Sequence, residues 1–196
     1  MITVQNVSKS FDGRQVLRDI TVSFPEGKCT AVMGPSGCGK TTLLSILMGL
    51  FPADSGTVAG VPEKKAAVFQ EDRLCEDFTA FENVRLVLSA ENAADRAAAK
   101  ARILDTFDGL LLGASAFQPV RELSGGQKRR VAIARAVLSD ADILFLDEPF
   151  KGLDEASKKE AAKLLSETGK TMIMVTHDRA EAELLEAEVL PLTSPA

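Results

Sequence analysis

The junction between a short apolar segment and a glycine-rich loop constrains this fold most. Residues 29–33 (CTAVM) predict a buried strand, and the apolar positions of residues 41–48 (TTLLSILM) suit a helix that Gly49 and Pro52 end. Residues 34–41 between them match the pattern G-x-x-x-x-G-K-T in full. A strand, a glycine loop and a helix in this order predict one βα unit of a parallel sheet.

The residue types of this loop suit phosphate binding. Glycines allow backbone N–H groups to surround phosphate oxygens, and the following helix start adds partial positive charge. Lys40 can reach the β- and γ-phosphates, and the Thr41 hydroxyl can ligate Mg²⁺. A plain flexible glycine loop is the alternative, but the correctly placed Lys-Thr pair argues against it. The predicted nucleotide-binding residues are Gly34, Pro35, Ser36, Gly37, Cys38, Gly39, Lys40, Thr41 and Thr42. Cys38 fills a variable position and is interpreted as a bystander.

An acidic pair follows a second apolar segment. Residues 143–146 (ILFL) lead directly into Asp147, Glu148 and Pro149. Asp147 suits hard Mg²⁺, and Glu148 can act as a base that polarises an attacking water. Pro149 disfavours a helical backbone at Glu148, which predicts an extended conformation there. Alone, the pair fits an ordinary strand-to-loop transition equally well; together with the phosphate loop, the functional interpretation is preferred.

Residues 123–127 (LSGGQ) precede a predicted helix over residues 128–138. Ser124 and Gln127 form a capping-box pattern, and Gly125 and Gly126 open the backbone at the helix start. These features indicate a second anion site built from N–H groups, a hydroxyl and a helix dipole. A simple helix cap is the alternative.

In its motifs and their order, the chain resembles the ABC ATPase family over essentially its whole length. The segment LSGGQ is the signature motif of that family and lies between the phosphate loop and the LDEP acids. Four further landmarks match: an adenine-stacking aromatic, the Q-loop glutamine, the D-loop and the switch-histidine motif. They correspond to Phe11, Gln70, residues 152–154 with Asp154, and residues 176–178 with His177.

The resemblance implies an α/β fold with a P-loop NTPase (RecA-like) core. The core has a mainly parallel sheet, preceded by an N-terminal antiparallel β subdomain and interrupted by an inserted helical subdomain. We expect one ABC ATPase domain over residues 1–196, with the nucleotide-binding core at 1–74 and 140–196. The helical subdomain, with the signature motif, is expected at 75–139.

The resemblance also implies roles for individual residues. Expected catalytic residues are Lys40, Gln70, Glu148 and His177; expected Mg²⁺ ligands are Thr41, Gln70 and Asp147. ATP is expected between the phosphate loop of one subunit and the signature motif of a second copy in a head-to-tail dimer, with contacts from Phe11, Ser124, Gly125, Gly126 and Gln127. Outside this resemblance, a lone histidine is usually structural, a glutamine at a strand end is unremarkable, and a Phe beside a hairpin is more often core.

Composition bears on the partners. With 23 basic and 28 acidic residues, the net charge of −5 argues against a nucleic-acid partner. No apolar run approaches the roughly 20 residues of a spanning helix, the first residues do not resemble a signal peptide, and three cysteines without paired spacing indicate neither disulfides nor zinc. These features predict a soluble, intracellular chain, and the resemblance to the ABC ATPase family implies that it lies at the cytoplasmic face of the cell membrane.

Among family members, the chain resembles the separate ATPase subunit of a bacterial importer of the nitrate, sulfonate and taurine group. Expected partners are transmembrane permease subunits, which would dock near residues 70–81, a second copy of the chain, and a solute-binding protein. A regulatory ABC ATPase that does not power transport is the alternative, and a P-loop kinase is a further one. The transported substrate is not encoded in this chain.

Two charged stretches are interpreted as solvated helix surface. One comprises the basic residues Lys128, Arg129, Arg130 and Arg135, and the other is the acidic stretch 181–188.

Overall fold

The computed structural model describes residues 1–88 and 93–193, in which the strands form two sheets. The first is antiparallel, with strand order β2-β1-β4, and the second has the order β5-β6-β7-β3-β8. The strands are β1 (Ile2–Phe11), β2 (Arg14–Phe24), β3 (Cys29–Met33), β4 (Ser55–Ala59), β5 (Lys65–Val68), β6 (Ile143–Asp147), β7 (Thr171–Val175) and β8 (Glu188–Pro191). The α/β fold class, with an N-terminal antiparallel sheet and a mainly parallel one, is confirmed.

The described part of the chain contains six α-helices. They are α1 (Lys40–Met48), α2 (Ala80–Arg85), α3 (Ala93–Gly109), α4 (Gly125–Leu138), α5 (Glu155–Glu167) and α6 (Arg179–Leu184). Short 3-10 helices lie at Gly113–Ser115 and Val120–Glu122. Helix α3 ends at Gly109, and Leu111 shortly after it adopts a left-handed φ of 56° that a continuing helix would not allow. In the described part of the chain, no helix combines the length and apolar character needed to cross a lipid bilayer.

A tight hairpin joins the first two strands. Phe11 pairs with Arg14, so Asp12 and Gly13 form a two-residue turn. Both turn residues have positive φ, 50° and 78°. This backbone matches the twist of the flanking strands, and it favours Asp-Gly at the turn.

The second sheet is buried and places three strand ends side by side. All five residues of β6 and of β7 are buried, as expected for strands covered on both faces. Strands β6, β7 and β3 pair in parallel, with Asp147 beside Val175 and Val175 beside Val32. Any residue that follows these strands therefore lies at one edge of the sheet, where ligands bind in open α/β folds.

The chain divides into two compact units. The first contains Met1–Ala67, Asp142–Glu148 and Gly169–Ala196; the second contains Val68–Ala141 and Pro149–Thr168. The predicted division into a core (1–74 and 140–196) and a helical lobe (75–139) stays a prediction. The packing units differ from it because residues 68–74 and helix α5 pack with the helical unit. Positions 89–92 of the predicted lobe lie outside the described residues.

The acidic stretch 181–188 was predicted to be solvated helix surface, but only part of it is. Helix α6 ends at Leu184, and strand β8 begins at Glu188 and pairs with β3. Glu181 is buried and accepts a hydrogen bond from Thr176. Charge alone misled the prediction, because a carboxylate that has a hydrogen-bond donor can be buried.

Candidate nucleotide-binding and hydrolysis site

The phosphate loop, residues 34–41, is closed around the ammonium group of its own lysine. Lys40 Nζ donates to the carbonyl oxygens of Gly34 at 2.8 Å and Pro35 at 2.9 Å, and lies 4.0 Å from Cys38 Sγ. Gly39, the N-cap of α1, has φ 96°, a conformation that L side chains rarely adopt. The loop thus places a cation at the N-terminus of a helix, a combination that attracts anions.

Two glycines of this loop are required by close packing. A Cβ atom on Gly34 would lie 2.1 Å from the carbonyl oxygen of Leu192, and one on Gly39 would lie 2.6 Å from Leu17 Cδ2. Cys38 is fully buried and belongs to the apolar core of the first unit. The Cys38 side chain therefore packs into the core and away from the phosphate-binding surface of the loop.

The acidic pair lies at the end of β6. Asp147 is the last residue of that strand and is buried, and Glu148 follows directly. Glu148 has φ 48°, so the predicted extended conformation is wrong. The Pro149 ring disfavours the right-handed helical region but leaves the left-handed one, and the Glu148 N–H fixes that turn by donating to the Val175 carbonyl at 2.9 Å.

His177 faces Glu148 from the next strand. It follows Thr176, directly after β7, and its Nδ1 lies 3.3 Å from Glu148 Oε1. The side chain of His177 is 73% exposed and that of Glu148 is 22% exposed. A solvent-accessible imidazole and a half-buried carboxylate in hydrogen-bond reach form a pair that can orient a water molecule.

Thr176 and Glu181 support this pair but were missed by sequence reasoning. Thr176 is fully buried, and its hydroxyl donates to Glu181 Oε2 at 2.6 Å and accepts from the Asp178 N–H at 3.1 Å. The Asp178 side chain in turn caps α6 at Ala180. The loop that carries His177 is therefore fixed on both sides. The only sequence signal was a hydroxyl residue five positions before an acid.

Phe11 lies at the β1–β2 hairpin with its ring partly exposed, at 39%. The edge of the Phe51 ring packs against it at a centroid distance of 5.8 Å, and Lys9 Nζ lies 5.4 Å from the Phe11 centroid. A supported and accessible aromatic ring suits stacking on a base.

In the second unit, residues 123–127 form the predicted capping box. The Ser124 N–H donates to Gln127 Oε1 at 2.8 Å, and the Gln127 N–H donates back to Ser124 Oγ at 3.3 Å. Gln127 Nε2 also donates to Ser115 Oγ at 2.9 Å. Gly125 has open space where a Cβ would project, whereas a Cβ on Gly126 would lie 3.2 Å from the Gly152 carbonyl. The start of α4 therefore exposes backbone and one hydroxyl.

Asp154 caps helix α5. Its carboxylate accepts from the Ser157 N–H at 2.8 Å and from the Ser157 hydroxyl at 3.2 Å. These hydrogen bonds, followed by the charge of Arg130, lower the pKa of Asp154 below its ordinary value. A structural role for Asp154 is therefore visible beside the one implied by the family.

The sequence predicted that the basic residues of α4 form a solvated face, and this prediction is wrong. Three of the four residues donate hydrogen bonds to backbone carbonyl groups. Arg129 is buried and bonds Phe69 and Gln70, Arg130 bonds Leu110 and Leu111, and Arg135 bonds Asp72 and Arg73. The prediction failed because a guanidinium group can be buried when its five donors find acceptors. The Gln70 side chain itself is exposed.

The structure brings together only part of the predicted site within each unit. In the first unit, the phosphate loop, Asp147, Glu148 and His177 meet at the carboxyl ends of β3, β6 and β7. Phe11 also belongs to the first unit, at the β1–β2 hairpin, whereas Gln70, Ser124, Gly125, Gly126, Gln127 and Asp154 belong to the second.

The oxygen donors of the first unit fit Mg²⁺. Thr41 offers a hydroxyl in an exposed position, and Asp147 offers a carboxylate. Across residues 1–88 and 93–193, no group of three or more His, Cys, Asp or Glu side chains forms a metal cage. Mg²⁺ is commonly held by one or two side chains, while waters and substrate phosphates supply the other ligands.

Comparison with known proteins identifies the family. The family described as ABC transporter matches residues 17–151, more than half of the chain. The chain therefore belongs to the ABC transporter family. A dimeric ABC transporter cassette, MJ0796, superposes with a TM-score of 0.86 and 31% identity, over 98% of this chain and 94% of that one. The same cassette in a post-hydrolysis state bound to ADP and Pi superposes equally well, at 30% identity.

Two curated relatives carry import functions in their names. The sulfate/thiosulfate import ATP-binding protein CysA of Burkholderia mallei is 39% identical over 92% of this chain. The taurine import ATP-binding protein TauB of Pseudomonas aeruginosa is 35% identical over 99% of this chain and 79% of its own length. The chain spans 56% of the length of the CysA relative.

Proposed function

We propose that this chain binds and hydrolyses ATP and powers a membrane importer. One observation carries the hydrolysis proposal: the Lys40 loop, Asp147 and the Glu148–His177 pair lie at one edge of three neighbouring parallel strands. Phosphoryl transfer to water needs a phosphate cradle, a metal ligand and a group that orients water, and this edge supplies all three.

Each residue has a distinct role in this proposal. Lys40 exchanges its bonds to the Gly34 and Pro35 carbonyls for phosphate oxygens, which neutralises charge that develops on the γ-phosphate. Glu148 accepts a hydrogen bond from the attacking water. His177 keeps Glu148 oriented through its Nδ1 contact and extends its exposed ring toward the γ-phosphate. Phe11 stacks on the adenine ring.

Thr41 and Asp147 are the proposed protein ligands of Mg²⁺, with Gln70 as a further contact. The ion supplies charge neutralisation between the β- and γ-phosphates when it is bound. The buried position of Asp147 at a strand end fixes its carboxylate, so little ordering is required on binding.

A second copy of the chain is proposed to complete each site. Ser124, Gly125, Gly126 and Gln127 form a helix start with exposed N–H groups and a hydroxyl, a surface that suits an anion. A head-to-tail dimer would present this surface to the ATP held by the partner's phosphate loop. Two identical composite sites follow from the two-fold symmetry of such a dimer.

The importer assignment rests on the CysA and TauB relatives, whose names describe import of sulfate, thiosulfate and taurine. We propose that the chain works at the cytoplasmic face of the membrane with permease subunits and a solute-binding protein. A permease helix would dock near residues 70–81. The transported substrate is determined by those partner chains.

The decisive experiment compares Glu148→Gln with the wild-type chain. The variant should bind Mg-ATP, hydrolyse it at least a hundredfold more slowly, and change from monomer to dimer in light scattering when Mg-ATP is added. The additional substitution Ser124→Arg should abolish dimerisation and leave monomeric ATP binding intact. A Glu148→Gln variant that retains wild-type hydrolysis would refute the proposed base.

The alternative is a regulatory ABC ATPase that does not power transport. Reconstitution in vesicles with candidate permease subunits separates the two functions. An importer shows ATP hydrolysis that the permease stimulates and vesicle uptake that Glu148→Gln abolishes; a regulatory ATPase shows neither.

A further inference from the structure

Two arginines of helix α4 hold the backbone around Gln70. We call residues 69–73 the Gln70 segment. Arg129 donates to the Phe69 carbonyl at 2.5 Å and the Gln70 carbonyl at 2.6 Å. Arg135 donates to the Arg73 carbonyl at 3.0 Å and the Asp72 carbonyl at 3.2 Å. Four of the five carbonyl groups of the segment are therefore bonded to side chains of one helix.

The Arg129 contact is built into the interior. Its side chain is 6% exposed, and its Nε lies 3.2 Å from the Asp72 carboxylate, which is 20% exposed. A buried guanidinium group without partners is strongly unfavourable, so these contacts are a requirement of the fold at this position. Burial raises the pKa of Asp72, while the charges of Arg129, Lys128 and Arg135 act in the opposite direction.

The Gln70 segment is also held in a conformation that an isolated chain would avoid. Arg73 has a left-handed φ of 46°, and its guanidinium group lies 3.8 Å from the centroid of the Phe69 ring. Such a conformation persists only where its surroundings impose it. Its carbonyl bond to Arg135 is one of the contacts that do so.

We propose that Arg129 and Arg135 are positioning residues that set the direction of the Gln70 side chain and fix it to the helix that begins with the signature motif. The proposal rests on the function proposed above. The Gln70 backbone determines the direction in which the Cα–Cβ bond of this exposed side chain leaves the chain, and Arg129 bonds that backbone directly. Arg129 lies one helical turn after Gly125, so a displacement of Gln70 displaces the start of α4 with it.

The test is a double-mutant cycle between Arg129 and Gln70 in ATP hydrolysis. Arg129→Lys keeps the charge but loses the planar fork that bonds two carbonyl groups. We expect kcat to fall about tenfold to a hundredfold, as for other small misplacements of a catalytic group, with KM for ATP changed less than twofold. The variant Gln70→Ala should lower kcat similarly, and the double variant should be no slower than Gln70→Ala alone.

Arg130→Lys is the matched control on the same helix. Arg130 bonds the Leu110 and Leu111 carbonyls and none of the five in the Gln70 segment. Any loss of kcat that it causes should multiply with the loss caused by Gln70→Ala. If Arg129→Lys does not fold, Arg135→Lys, at a half-exposed site, takes its place in the cycle.

Hydrogen exchange provides a measurement that does not depend on hydrolysis. The Cys75 N–H, two positions after Arg73, donates to Asn83 Oδ1 at 2.8 Å; it should exchange faster in Arg129→Lys than in the wild-type chain without nucleotide, and the amides of residues 29–33 should not. Effects of Arg129 and Gln70 that multiply would overturn the positioning role while leaving the proposed function intact. If Glu148→Gln left ATP turnover unchanged, that result would instead refute both the proposed function and the positioning role that rests on it.

Discussion

Replacing Thr176 by valine removes two hydrogen bonds from the loop that carries His177. Thr176 is fully buried, and its hydroxyl donates to Glu181 and accepts from the Asp178 N–H. Valine has nearly the same volume, so the substitution leaves no cavity. The loss of the hydroxyl is therefore the main change.

The expected loss of stability follows from these two bonds. A hydrogen bond to a charged group contributes about 1.5–3 kcal/mol, and a neutral one contributes about 1 kcal/mol. We expect Thr176→Val to lower the free energy of unfolding by about 2.5–4 kcal/mol, the sum of these contributions. For a chain of this size, the melting temperature should fall by about 5–15 °C.

Urea unfolding and calorimetry measure this effect, and Thr176→Ser is the matched control. Serine keeps the hydroxyl and loses one buried methyl group, which costs about 1 kcal/mol. Thr176→Val should also lower kcat for ATP, because the loop holds His177 beside Glu148. If Thr176→Val lost no more free energy of unfolding than Thr176→Ser does, the result would refute the argument that these hydrogen bonds fix the loop.

Three further predictions concern separate parts of the molecule. Gly34→Ala should lower the free energy of unfolding by about 1–3 kcal/mol in urea, because the added Cβ would lie 2.1 Å from the Leu192 carbonyl oxygen. At pH 8 a thiol reagent should modify exposed Cys75 rapidly, whereas Cys29 should react only in denaturant, because burial raises its pKa to about 12. Phe11→Ala should weaken ATP binding by about 1–3 kcal/mol in a fluorescent-nucleotide titration, and Phe11→Trp should restore it.

Each of these predictions has a control or a contrary outcome. Gly109→Ala introduces a Cβ into open space and should leave stability unchanged or slightly raised; an equal loss in both glycine variants would contradict the steric argument. Cys29 modified as fast as Cys75 in the folded chain would contradict its burial. An unchanged dissociation constant for Phe11→Ala would exclude stacking on adenine.

The features that local sequence determines were predicted well. The Ser124–Gln127 capping box depends on neighbouring residues only, and it is present as predicted. Strand β6 was recognisable, and β7 has the same character, because buried parallel strands are continuous apolar runs. The parallel order of these strands then placed the acidic pair and the histidine at one edge.

The features that depend on distant partners were not predictable. Arg129 and Arg135 have the same local pattern as solvated helix charges, and only the carbonyl groups of residues 69–73 explain their burial. Glu181 was taken for surface because Thr176 pairs with it only after the chain turns. The left-handed backbone of Glu148 depends on the carbonyl of Val175, which lies in another strand.

The strand order has a consequence for how the protein is made. Strand β3, which leads into the phosphate loop, has β7 and β8 as its neighbours, both near the other end of the described chain. Gly27 and Thr171, which bond beside it, are 144 positions apart. Contacts of such long range form late. On the ribosome, the nucleotide cradle therefore lacks its flanking strands until β7 and β8 have emerged, so ATP bound at the cradle cannot assist the folding of the nascent chain before that moment.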